Sequence, residues 1–158
     1  MKMHYSLFST SAFLGTILLL SIAGSARNLQ EDKLSAVALE FRERLGISEP
    51  VLVSLTEVGD RLVSVQRTSN SAPGFLIKFD RNFHATLTEE EVRAAIAHEM
   101  GHVWIFTHHP YLHTEPLANE KARELVSPEG LAKIYEKVWK KQGHKGSLEA
   151  LLGKVPNP

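Results

Sequence analysis

Two histidines and a glutamate in the run His98-Glu99-Met100-Gly101-His102 are the residues of this chain best suited to chemistry. On a helix, positions four apart lie one turn apart on one face, so both imidazoles can address a single ion. Glu99 lies about 100° round the helix from His98, too displaced to share the coordination but near enough to take a proton from a water that the ion activates. Neutral imidazole is a good zinc ligand, and a catalytic zinc site keeps a fourth position for water. The pattern therefore predicts zinc-dependent hydrolysis with Glu99 as general base. Its surroundings are apolar, with Ala94-Ala95-Ile96-Ala97 before it and Val103-Trp104-Ile105-Phe106 after it, where two unpartnered imidazoles would be costly.

A third protein ligand is needed, and the absence of cysteine leaves only histidine and carboxylate to provide it. Glu115 is the favoured candidate. It opens Glu115-Pro116-Leu117-Ala118-Asn119, where the small Ala118 allows a second helix close to the first and Asn119 can support a ligating histidine by a hydrogen bond. His108 and His113 compete with it. A longer form of the motif uses a histidine at the position of His108, but it turns the helix with a glycine where this chain has Ile105. On an unbroken helix His108 points away from His98 and His102. His109, Tyr111 and His113, in the segment that follows, are candidates to stabilise the oxyanion of a transition state. A fourth protein ligand, His108 or His113, would instead close the site and make the protein a non-catalytic zinc-binding module for regulation or interaction. His84 and His144 stand isolated in polar stretches.

The elements that must position these residues read as an α+β domain. Leu34, Val37, Ala38, Phe41 and Leu45 recur at the spacing of one helix face over 30–45, and Gly46 ends the run. The Val- and Leu-rich runs 51–57 and 61–67 flank Val58-Gly59-Asp60, which suggests a hairpin, and 75–79 is a third strand. A long helix over 87–106 opens with Thr88 and Glu91 as a capping box. Helices over 116–126, from Ser127-Pro128 to Gly143, and over 147–152 complete a three-stranded sheet with C-terminal helices.

Leu87-Thr88-Glu89-Glu90-Glu91-Val92 leading into Ala97-His98-Glu99-Met100-Gly101-His102, followed by Glu115, Ala118, Asn119 and Ala122, resembles the gluzincin zinc metallopeptidases. The likeness extends to the minigluzincins and HtpX-like peptidases, and the second motif is also similar to that of the ImmA/IrrE group. It covers about residues 75 to 126 by motif. The resemblance implies a zincin-like fold, a zinc metalloendopeptidase activity, and His98, His102 and Glu115 as ligands with Glu99 as base. It also implies that the strand carrying Phe75, Leu76 and Ile77 is the edge that pairs with an extended peptide. The link from His102 to Glu115 is short for the family, and Asn119 stands where many HtpX-like members have Asp.

The chain has 158 residues, 43% of them apolar, with 18 basic and 18 acidic side chains. That balance argues against a nucleic-acid partner, whose phosphates call for a basic excess. The charge is uneven along the chain, however: residues 31–129 carry 10 basic and 16 acidic groups, and 130–158 carry 6 basic and 2 acidic. Lys137, Lys140, Lys141 and Lys145 read as a solvated helix face. Lys2, the apolar run Leu7–Ala23 and the small residues Gly24, Ser25 and Ala26 have the order of a secretory signal peptide, with cleavage after Ala26. The domain is then residues 27–158, secreted or periplasmic. If the segment stays, it is a membrane anchor with the domain outside the cytoplasm, and it is the only contact with the membrane. The remaining partner is a peptide or protein substrate, with endo- and exo-cleavage both open.

Overall fold

The computed structural model describes residues 29–57, 61–69, 73–143 and 146–152. The N-terminal segment 1–26, Val58-Gly59-Asp60, His144 and Lys145 lie outside the described residues. No helix among the described residues is long and apolar enough to cross a membrane.

Helix α1, residues 29–44, buries Leu34, Ala38 and Phe41 through the three-and-four spacing. Gly46 then takes φ of 66°, the left-handed conformation that ends a helix without a Cβ clash. Strands β1 (Val51–Thr56), β2 (Val63–Arg67) and β3 (Phe75–Asp80) form one sheet in the order β1-β3-β2. β1 is parallel to β3, and β2 is antiparallel to it. The expected hairpin between the first two strands is therefore not formed; the hairpin joins β2 and β3.

The reason lies in the faces. Phe75, Ile77 and Phe79 of β3 are each at most 2% exposed, whereas no residue of β2 is fully buried. The strand with the largest apolar payload gains most from the central position, where it is paired on both sides. This topology also corrects the reading of Phe75, Leu76 and Ile77 as a peptide-binding edge, because the neighbours on either side already take their backbone groups.

The two real edges differ. On β1, Ser35 Oγ accepts from the Val53 N–H at 3.1 Å and Glu31 Oε1 accepts from the Leu55 N–H at 2.8 Å, so α1 covers that edge. On β2, the Leu62 carbonyl accepts from the Asp80 N–H at 2.8 Å, and the Thr68 N–H donates to the Gly74 carbonyl at 3.0 Å. Antiparallel pairing alternates, so the backbone groups of Val63, Val65 and Arg67 turn outward from the sheet.

Helix α2 (Arg81–His84) is a single turn capped by Asp80. α3 (Glu89–His108), α4 (Glu115–Ala122), α5 (Pro128–Gln142) and α6 (Leu148–Leu152) follow. The arrangement is α+β, as the sequence predicts, although α4 stops four residues short of the predicted end. α5 presents Leu131 and Ile134 to α3 and ends at Gly143, with φ of 71°.

The start of α3 is held on both sides. Glu91 Oε2 accepts from the Thr88 N–H at 2.7 Å, and Thr88 Oγ1 accepts from the Glu91 N–H at 3.3 Å. Lys137 of α5 adds its Nζ to Glu91 Oε2 at 2.6 Å and to the Thr86 carbonyl at 2.9 Å. Burial alone would raise the Glu91 pKa, but the hydrogen bonds from Lys137 and Thr88 outweigh it and leave the carboxyl below its ordinary range. A depressed carboxylate stabilises the fold above its unfolded pKa of about 4.3, and the contribution fades as pH falls through the folded value. Lys137→Met should therefore lower stability by about 1–2 kcal/mol at pH 7 and by much less at pH 3, read from urea unfolding at both pH values. An equal loss at both pH values would refute the ionic clamp.

Candidate metal centre

His98, Glu99 and His102 lie in the middle of α3, where the helix is most deeply packed; Glu99 and His102 are each 7% exposed. Glu115 is the first residue of α4, which Thr114 caps by accepting from the Leu117 N–H at 3.4 Å. A carboxylate there also complements the positive end of the helix dipole. α4 comes this close because α3 has no side chain in the way. A Cβ on Gly101 would drive into the backbone of Ala118. The approach that the sequence credits to the small Ala118 thus depends equally on Gly101.

The contact brings three side chains to one point. His98 Nε2 and His102 Nε2 are 3.1 Å apart, Glu115 Oε2 is 3.3 Å from His98 Nε2, and Glu115 Oε1 is 3.5 Å from His102 Nε2. Zinc bonds of about 2.0–2.1 Å arranged tetrahedrally separate neighbouring ligand atoms by about 3.3 Å. Two imidazole nitrogens and a carboxylate oxygen at those separations fit a zinc ion. Among the described residues no fourth histidine or carboxylate joins the group.

A chain of hydrogen bonds selects the tautomer of His98. The Asn119 Nδ2 donates to the Leu151 carbonyl of α6 at 3.1 Å, which turns Oδ1 toward His98. Oδ1 lies 2.9 Å from His98 Nδ1 and accepts from it, leaving the lone pair on Nε2 at the centre. Tyr135 of α5 donates its hydroxyl to the same Oδ1 at 3.0 Å and packs its ring edge-on to His98. Asn119 is wholly buried, so both of its functions are met by protein groups. The sequence predicts the Asn119 bond, but nothing local marks Tyr135 as a partner of the site. Only the packing of α5 on α3 distinguishes it from its neighbours. The ring nitrogen His102 Nδ1 is buried with no hydrogen-bond partner.

Electrostatics suit the arrangement. Burial raises the pKa of Glu99, partly offset by the two histidines and by a hydrogen bond from the Val65 backbone. The outward edge of β2 therefore reaches the centre directly. The close approach of His102 and His98 holds the Glu115 carboxyl far below its ordinary range. Burial works against a charged His98, but Glu115 and Glu99 outweigh it and raise its pKa.

The other candidates separate. His113 stacks on His102 with centroids 4.8 Å apart and also meets Phe106, so it borders the centre. His108 stacks instead on Trp104, and His109 tilts against the same ring. The Tyr111 side chain is 98% exposed. These three are not gathered with His98 and His102.

Loss of the Asn119 carbonyl should weaken zinc binding by about 10- to 100-fold in Asn119→Ala, measured by chelator competition. Tyr135→Phe should act in the same direction by a smaller factor. Wild-type affinity in both variants would remove the tautomer argument. Gly101→Ala should likewise lose affinity, by at least about tenfold, because Glu115 is pushed outward with α4.

No family model and no curated protein matches the chain. Among solved structures, the fold is similar to that of the metallopeptidase zymogen of Pyrococcus abyssi abylysin, at 17% identity and a TM-score of 0.49, covering 72% of this chain and 99% of that one.

Proposed function

We propose that the protein is an exported zinc metallopeptidase that hydrolyses peptide bonds in a peptide or protein substrate. The observation that carries the reading is the spacing of His98, His102 and Glu115 beside a buried Glu99, with no fourth protein donor among the described residues. Bound there, zinc supplies a Lewis acid that lowers the pKa of water and polarises a carbonyl.

The chain's own groups do the rest. Glu99 takes the proton of the attacking water and passes it to the leaving amine; its raised pKa suits a group that must both accept and return a proton. His113, beside His102, offers a donor to the developing oxyanion. The outward backbone groups of Val63 and Arg67, on either side of the Val65 N–H that Glu99 takes, give an extended substrate an edge to pair with. β2, not β3, is the strand placed for this. The apolar N-terminal segment with its small residues supports export, to the periplasm or the exterior, whether it is cleaved or kept as an anchor.

Protein lacking residues 1–26 should bind one equivalent of zinc and cleave peptides, and a chelator should abolish cleavage until zinc is restored. Glu99→Gln should keep the zinc and lose about 100- to 10,000-fold in kcat. Full activity in that variant, with zinc retained, would overturn the role of Glu99. Failure of the wild type to cleave any peptide would leave a zinc-binding module.

A further inference from the structure

A cavity of about 210 Å³ opens beside the metal-ligand group, between the start of β2, the middle of α3 and the face of α5. Val63, Ala95, Ile134 and Val138 give it apolar walls, and His98 and Glu99 line it beside the metal-ligand group. Arg61 lies on its exposed rim, and no hydrogen bond or ion pair joins that guanidinium to another described residue. Arginine stays charged at any physiological pH and pairs best with a planar carboxylate. The cavity has room for one side chain, and its walls would penalise a charged one.

We infer that this cavity takes the apolar side chain of a peptide's C-terminal residue while Arg61 pairs with that residue's free α-carboxylate. The inference rests on the peptidase reading and narrows it to removal of a terminal residue. A side chain directed inward leaves its own backbone carboxylate at the mouth, where Arg61 stands. An aspartate or glutamate side chain reaching for Arg61 would leave the apolar walls unfilled. In the reaction, the oxygen of one water adds to the last peptide carbonyl and the C–N bond breaks. The protons of that water end on the two products, a shortened peptide with a new carboxyl group and a free amino acid.

Three peptides test this with the zinc-loaded protein lacking residues 1–26: one ending in leucine as the free acid, the same peptide amidated, and an amidated peptide with glutamate in place of that leucine. The free acid should be favoured over its amide by about fivefold or more in kcat/KM, with leucine as the released product. In Arg61→Ala that ratio should fall to about one, and in Arg61→Glu the amide should be preferred. Circular dichroism and zinc content check that these exposed-site variants are folded and loaded. Equal cleavage of acid and amide by the wild type, or a ratio unmoved by Arg61→Glu, would overturn the inference and leave the peptidase reading standing. Preference for the glutamate peptide would assign Arg61 to an acidic side chain and overturn the terminal-carboxylate reading. If no peptide is cleaved, the peptidase reading falls, and this inference falls with it.

Discussion

Gly101 of α3 lies against the backbone of Ala118 in α4, with no space for a single carbon between them. Both distances from Glu115 to the imidazoles depend on that contact. α3 alone supplies two imidazoles, and only an adjacent helix start can add a carboxylate at the right height. The loop from His109 to Thr114 is short, so it ties the two helices together without room for an intervening element. Close packing then takes over from chain connectivity in setting the position of Glu115, since packed helices resist sliding by even a fraction of an ångström.

The helices behind this pair set orientation as well as position. Asn119 connects Leu151, His98 and Tyr135, and so joins four helices through one buried amide. A buried amide with every partner satisfied has one orientation, and that orientation determines which nitrogen of His98 faces the centre. α5 holds α3 at a second place, through Lys137 and Glu91, so the motif helix is fixed near its start and at its middle. The sheet contributes in a different way. α1 covers its β1 edge, and its β2 edge turns toward α3, where the Val65 backbone reaches Glu99.

Much of this was readable beforehand, for local reasons. Helix periodicity, the Thr88–Glu91 capping box, and the glycine stops at Gly46 and Gly143 are encoded within a few residues of where they act. The failures were non-local. A gap containing Gly59 is compatible with a hairpin, but pairing partners are chosen by which strand buries most, and Phe75, Ile77 and Phe79 won the centre for β3. Among the histidines after His102, helix spacing set His108 apart, but it did not separate His113, which stacks on the motif, from His109, which tilts against Trp104.

By itself, the sequence determined the ligand chemistry: with no cysteine, a metal must find histidine and carboxylate, and His98 and His102 one turn apart present two of them on one face. Helix geometry makes that inference safe because it involves only five consecutive residues. The tertiary structure decided that Glu115, favoured from sequence over His108 and His113, is the one gathered with His98 and His102, which strand lies at the centre of the sheet, and that Tyr135 and Arg61 line one cavity with His98 and Glu99. Those outcomes join residues far apart in the chain, and the close packing of their elements, which no local pattern records, sets the distances between them.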